Sequence, residues 1–269
     1  MKVSLIQMNS REDKAANLAA AERLIRAAVA ADGPDLVALP EVWPFQGVDA
    51  ELKRANAEPL PDGEAYRLLH GLACELGVAI HGGSLHERGP EKLFNTTVVF
   101  DRDGRELARY RKMHLFDIVT PDGRAYRESS QIEGGREVVA YALAGRTVGC
   151  TICYDLRFPE LFQALARKGA EVMMVPSSFT LQTGKDHWEV LLRARAIETG
   201  SYVVAPAQWG AFADGTRQTY GHSLVVDPWG HVVARASDGE GFVTARLDFD
   251  YLAKVREMIP VHRHKVLGA

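Results

Sequence analysis

Thr147-Val148-Gly149-Cys150-Thr151-Ile152-Cys153-Tyr154-Asp155-Leu156-Arg157-Phe158-Pro159-Glu160-Leu161 changes backbone type within a few residues. Thr147–Ile152 is rich in β-branched and apolar residues and predicts a strand, while Phe158–Arg167 predicts a helix. Ala144-Gly145 separates that strand from Val138–Leu143, which predicts a hairpin. Working outward, Val3–Met8 reads as a buried strand and Lys14–Ala31 as an Ala-rich helix stopped by Gly33-Pro34. Leu36–Leu39 is a second strand leading into Pro40-Glu41, and Glu64–Leu76 is a helix stopped by Gly77 ahead of strand Val78–His81. Thr96–Phe100 and Glu106–Arg111 flank an Asp103-Gly104 turn and predict another hairpin. Val172–Val175, Tyr202–Ala205, Ser223–Val226 and Val232–Ala236 add strands, the last two joined by Asp227-Pro228-Trp229-Gly230, and His187–Glu198 adds a helix. Crossovers mixed with hairpins predict α/β layers around mixed sheets. With no repeat and no Pro/Ser-rich linker, residues 1–269 are expected to form a single domain.

Composition narrows the function. Lys plus Arg number 32 against 35 for Asp plus Glu, a formal net charge of −3 with no basic stripe, so neither nucleic acid nor an anionic membrane is expected as partner. The N-terminal run turns polar too soon for a secretory signal, and no stretch approaches the ~18 uninterrupted apolar residues of a membrane helix. Three cysteines, few and odd in number, suit a reducing compartment, and a cytoplasmic location is the expectation.

Three chemically capable residues follow three predicted strands: Glu41 after Leu-Val-Ala-Leu-Pro, Lys112 after Leu-Ala-Arg-Tyr-Arg, and Cys153 after Thr-Val-Gly-Cys-Thr-Ile. Ligands in open α/β sheets bind beyond the carboxyl ends of the strands, so the three can converge. A free thiol with a pKa near about 8.5 is mostly protonated at neutral pH, and a carboxylate beside it can take its proton during attack. An ammonium can hold the oxyanion that forms, and the Tyr154 N–H, where a helix opens, is a second donor. Each residue also has a bland reading alone: surface carboxylate, solvated lysine, small buried thiol.

Taken together, Leu39-Pro40-Glu41, Tyr110-Arg111-Lys112-Met113-His114-Leu115-Phe116-Asp117 and Ile152-Cys153-Tyr154-Asp155-Leu156-Arg157-Phe158-Pro159-Glu160-Leu161 resemble, in order, the three signatures of the nitrilase superfamily of carbon–nitrogen hydrolases. The resemblance runs from about Lys2 to the C-terminus. It implies a four-layer αββα sandwich, usually dimerised through one helical face. It also implies Glu41 as general base, Lys112 as oxyanion stabiliser, Cys153 as the nucleophile that forms a thioester, and Glu128 as the carboxylate supporting the lysine. His187 to Thr199 and Tyr220 to Gly230 are similar to the branch of deaminated glutathione amidases and ω-amidases, which cleave the γ-amide of a 2-oxoglutaryl group. That implies metabolite repair, a small amide substrate, a homodimer and no cofactor or metal. Arg157 matches a position that holds a substrate carboxylate in related carbamoyl amino acid hydrolases, where its guanidinium would bind in two parallel hydrogen bonds or else brace the turn. Tyr154, His187, Trp188 and Trp209 are expected to line the pocket.

Other classes remain open from the residues. Cys150-Thr151-Ile152-Cys153 has the spacing of a redox or zinc pair, although Thr151 and Ile152 extend a strand rather than begin a helix. A Cys–His hydrolase would draw on His114, and a dimer used only for binding would be expected to have lost one of the three residues. Nitrile hydrolysis uses the same three.

Overall fold

The computed structural model describes residues 1–120 and 123–267. Its first sheet runs Gly241–Arg246, Lys2–Gln7, Leu36–Ala38, Ala79–His81, Leu93–Phe100, Leu85–Arg88, with Glu106–Arg111 also pairing to Leu93–Phe100. The second runs Val232–Arg235, Leu224–Val226, Tyr202–Ala205, Val172–Met174, Arg146–Cys150, Ala140–Leu143. Each has a parallel core of successive strands flanked by antiparallel ones.

Residue alternation along these strands creates the layers, because successive side chains leave a strand on opposite faces. Val3, Leu5, Leu36, Ala38, Ala79 and Val99 belong to one apolar cluster with Tyr141, Val148 and Val203 of the second sheet. Their neighbours Ile6, Val37, Leu39, Ile80, Val98 and Phe100 point the other way, onto Ala21, Leu24, Ile25, Leu69 and Leu72 of helices Lys14–Asp32 and Glu64–Leu76. Leu161, Phe162 and Leu165 of helix Pro159–Arg167, with Trp188, Leu192 and Ala196 of helix Leu181–Thr199, join the larger cluster and cover the second sheet. Helix, sheet, sheet, helix is the expected αββα sandwich.

Local chemistry ends the elements where the sequence suggests. Gly33 and Gly77 adopt left-handed backbone (φ 53 and 62) and donate their N–H groups to Val29 O and Ala73 O, closing the two helices. The helix expected over His187–Glu198 begins earlier, at Leu181: Thr180 caps it, its hydroxyl 3.4 Å from the Thr183 N–H. Polar residues and Gly184 in that first turn mask its amphipathic period. Hairpins Asp117–Val119/Ala125–Arg127 and Trp209–Phe212/Arg217–Tyr220, helix Ala50–Ala55 and the edge strand Gly241–Arg246 also go beyond the sequence expectation. None of their residues is fully apolar in period, which is why pattern does not draw them. Among the described residues no helix is long and apolar enough to cross a membrane.

Candidate active site

Glu41, Lys112 and Cys153 sit just past the carboxyl ends of Leu36–Ala38, Glu106–Arg111 and Arg146–Cys150, two from the first sheet and one from the second. They meet. Lys112 Nζ donates to Glu41 Oε1 at 2.9 Å and to Glu128 Oε2 at 2.9 Å. Asn95 Nδ2 bridges the same two carboxylates, at 2.9 Å to Glu41 and 3.3 Å to Glu128. The Phe116 N–H adds a bond of 2.6 Å to Glu128 Oε2. The Cys153 thiol hydrogen-bonds Glu41 and receives the Ser178 backbone N–H. Only 2% of the Lys112 side chain and 6% of Glu41 are exposed, so the ion pair is desolvated and fixed by its partners.

Two turns aim these groups. Val42 and Cys153 both have φ 46, a left-handed conformation that costs a non-glycine residue about 1–2 kcal/mol. Cys153 is held there by its N–H bond to Pro176 O at 2.9 Å, and Val42 by its N–H bond to the Ser84 hydroxyl at 3.0 Å. Gly83 passes so close to the first turn that a Cβ on it would lie 2.1 Å from Pro40 O. Behind the second turn, buried Asp155 accepts hydrogen bonds from Tyr110 Oη (2.6 Å), Ile152 N (2.9 Å) and His114 N (3.0 Å). Asp155 thereby ties the chain that carries Lys112 to the turn that carries Cys153.

The electrostatics follow from two carboxylates sharing one ammonium. Burial alone would pull Lys112 down, but the charges of Glu128 and Glu41 outweigh it and hold Lys112 well above its ordinary value. Burial opposes ionisation of Glu128 too, yet Lys112 brings its carboxyl below the usual range. Burial, then the Glu41 charge, pushes the Cys153 thiol well up, with Lys112 opposing. The Cys153 thiol is therefore neutral at rest, beside the Glu41 side chain. The cluster opens on a cleft of about 430 Å³, walled in part by Phe116, Tyr126, Tyr154, Phe179, Lys53 and Arg217. Burial pulls the Lys53 ammonium below its ordinary value, with Glu128 opposing and Arg217 adding to the fall. Burial, with the charges of Lys53 and Lys112 adding, lowers the imidazole of His86 in the same wall to about 3, so it is neutral.

The model of the family described as carbon–nitrogen hydrolase matches residues 2–257. This chain belongs to the carbon–nitrogen hydrolase family. It is 42% identical over 269 residues to the deaminated glutathione amidase of Synechocystis, covering 97% of this hydrolase and 96% of that protein. It is 40% identical over 266 residues to an omega-amidase of Xenopus laevis, covering 98% and 94%. The crystal structure of the C. elegans NitFhit protein superposes with a TM-score of 0.89 at 38% identity, covering 98% of this hydrolase but spanning only 64% of the NitFhit chain.

The remaining residues marked from the sequence of this hydrolase divide. Tyr154 lines the cleft, its ring edge-on to Phe116 at 5.1 Å. Arg157, His187, Trp188 and Trp209 are not among the residues lining it. Arg157 Nη2 lies 3.3 Å from His187 Nδ1, and its guanidinium packs over Phe179 at 5.4 Å, one layer behind the wall. Trp188 is a core residue whose Nε1 donates to His222 O at 2.9 Å, and Trp209 packs against Gly221. For His187 and Trp188 the reason is the earlier helix start: Thr180 and Thr183 take the cleft-facing places and those two fall a turn beyond. His114 pairs with Asp155 (Nδ1 to Oδ1, 2.7 Å) and stacks on Phe158 at 3.8 Å, so its imidazole braces the turn. Cys150 and Cys153 are both free thiols, and burial in the core pushes the Cys150 thiol up. Asn95 and Asp155 go unmarked from the sequence as site-builders. The available signal for Asn95 is the polar Asn95-Thr96-Thr97 inside an otherwise apolar strand, all of it buried.

Proposed function

We propose that the protein hydrolyses a small linear amide through a thioester on Cys153, with deaminated glutathione as substrate and 2-oxoglutarate and cysteinylglycine as products. The observation that carries the chemistry is the buried Lys112 ammonium clamped between Glu41 and Glu128, with Glu41 also bonded to the thiol. The relatives named above support the substrate.

The steps follow from the geometry. Cys153 attacks the amide carbonyl carbon as its S–H proton passes to Glu41. Negative charge on the carbonyl oxygen falls to the Lys112 ammonium and the Tyr154 N–H, worth about 3–4 kcal/mol for a strong donor. As the C–N bond breaks, the departing amine takes the proton from Glu41, leaving the acyl group on sulfur. Water then attacks the thioester while Glu41 accepts its proton, and the C–S bond breaks to return the thiol and release the acid. Glu128 holds Lys112 in line and keeps it charged. Because the thiol is neutral at rest, Glu41 has to act as the base within the attack itself.

A second substrate, 2-oxoglutaramate, has the same acyl half and is favoured by the similarity to the omega-amidase. The same reading takes residues 1–269 as one cytoplasmic domain and the partner as a second copy, docked through a helical face. Val190 and Ile197, 67% and 51% exposed on helix Leu181–Thr199, support that face. Comparing kcat/KM for deaminated glutathione, 2-oxoglutaramate, N-carbamoyl-β-alanine and a simple nitrile tests the assignment. Deaminated glutathione is expected to lead; a lead for the carbamoyl compound or the nitrile would overturn it.

A further inference from the structure

Two cations in the cleft have no protein partner among the described residues. Lys53 projects from helix Ala50–Ala55 and Arg217 from strand Arg217–Tyr220, and both line the cavity that reaches Cys153. Among the described residues, the Lys53 ammonium has no hydrogen-bond or ion-pair partner. The carboxylates whose charge it feels are engaged elsewhere: Asp49 accepts the Leu52 N–H at 2.8 Å, Glu12 accepts the Val48 N–H at 3.2 Å, and Glu128 is bonded to Lys112. Among the described residues Arg217 Nη1 is buried without a hydrogen-bond partner, while its guanidinium is laid over the Tyr126 ring at 4.4 Å. The backbone just ahead of its strand is held as well, by Arg124 bonding the Thr216 carbonyl. A guanidinium held by its flat face and its neighbouring backbone, with the Nη1 donor unsatisfied, is preorganised for an acceptor that comes from outside the protein.

Energetics say what that acceptor is. A buried donor on a charged group left unmade costs roughly 1–3 kcal/mol, and two cations that feel each other across a cleft add to the cost. A carboxylate between them relieves both. We infer that Lys53 and Arg217 form a shared site for a carboxylate carried by the substrate away from the scissile amide, an inference that rests on the amidase reading above. This moves anion recognition from Arg157, which is engaged with His187, to two cations that line the cleft. Such a site selects acids over neutral amides, and binding the charged end aligns the carbonyl with the thiol. The carboxylate belongs either to the 2-oxoglutaryl half or to the glycine end of the leaving group.

The test uses Lys53→Gln and Arg217→Gln in the intact chain, with deaminated glutathione, 2-oxoglutaramate and uncharged butyramide as substrates. The ratio of kcat/KM for each acid to that for butyramide is expected to fall roughly 10- to 100-fold per substitution, chiefly through KM. Lys53→Arg should retain most of it. A fall with both acids assigns the site to the acyl half; a fall with deaminated glutathione alone assigns it to the leaving group. An unchanged ratio, or an equal loss on butyramide, would overturn the site. If the wild type cleaves none of the acids, the amidase assignment fails separately. The site is then read by glutarate protection of Cys153 from iodoacetamide: protection in the wild type that both Gln variants lose supports it, and no protection refutes it.

Discussion

The inner cluster and the mouth of the same cleft are built on different principles. Glu41, Lys112 and Cys153 stand at strand ends, with Asn95, Asp155 and strained turns fixing each group from behind. Lys53 stands on a short helix and Arg217 on a two-stranded hairpin, the latter held by a stacked ring and a carbonyl contact beside it, and among the described residues neither charge is matched. Within the inner cluster the Lys112, Glu41 and Glu128 charges are paired with one another, so the chemistry proposed for it does not depend on which amide arrives. At the mouth the match is left to the ligand. Reaction and selectivity can therefore vary separately, since hairpins change with less disturbance than the interior of a sheet.

That division can be broken from the inside. Cys153→Ala removes the proposed nucleophile and should lower kcat on the order of 10⁴-fold or more with every amide, charged or not, while leaving the unfolding midpoint near the wild type. Turnover persisting on any one amide would end the claim of a common chemistry. Lys112→Ala should cost about 10²- to 10³-fold in kcat on all substrates alike, and also lower stability by about 3–5 kcal/mol because two carboxylates lose their buried counter-charge. A loss under tenfold, measured by steady-state kinetics, would point to another electrophile. Asp155→Ala strips four backbone and side-chain groups of their carboxylate partner and should cost about 3 kcal/mol in urea unfolding, with kcat falling and the ratio of charged to neutral substrates unchanged. A changed ratio would mean the two regions are coupled.

The smallest effect is in acid. The Glu128 carboxyl lies below its ordinary 4.5 when folded, so its contribution to stability is present above that value and is lost as pH falls through the folded pKa. Lys112, shifted upward, loses its contribution only as pH rises past 10.5 and through the folded value. Urea unfolding from pH 7 down to about 3 should show a decline that Glu128→Gln makes shallower. Equal slopes for the two proteins would remove Glu128 from the account.

How much of this could be read in advance differs along the same line. The strand-ending Glu41, Lys112 and Cys153 are legible because short apolar runs and fixed local signatures lead into them. The layer order follows from alternation in Val3 to Ile6 and Leu36 to Leu39. Arg157, His187, Trp188 and Trp209 mislead for one physical reason: proximity in sequence to Cys153 or to a strand end does not fix which way a side chain leaves its helix, turn or strand. Capping by Thr180 moves the helix start and with it the residues that face the cleft. Lys53 and Arg217 are silent because an isolated cation in a polar stretch carries no periodicity. Only the absence of a partner in three dimensions distinguishes either from a solvated charge.

The central claim is that an amide's acyl group rests on one sulfur served by Glu41 and Lys112. Rapid acid quenching during turnover of deaminated glutathione, followed by mass analysis of the peptide bearing residues 146–167, tests it most directly. The account predicts a 2-oxoglutaryl adduct on Cys153 that forms and decays at the rate of turnover and is absent from Cys153→Ala. Hydrolysis proceeding with no adduct on that peptide, or with the acyl group on Cys74 or Cys150, would contradict it.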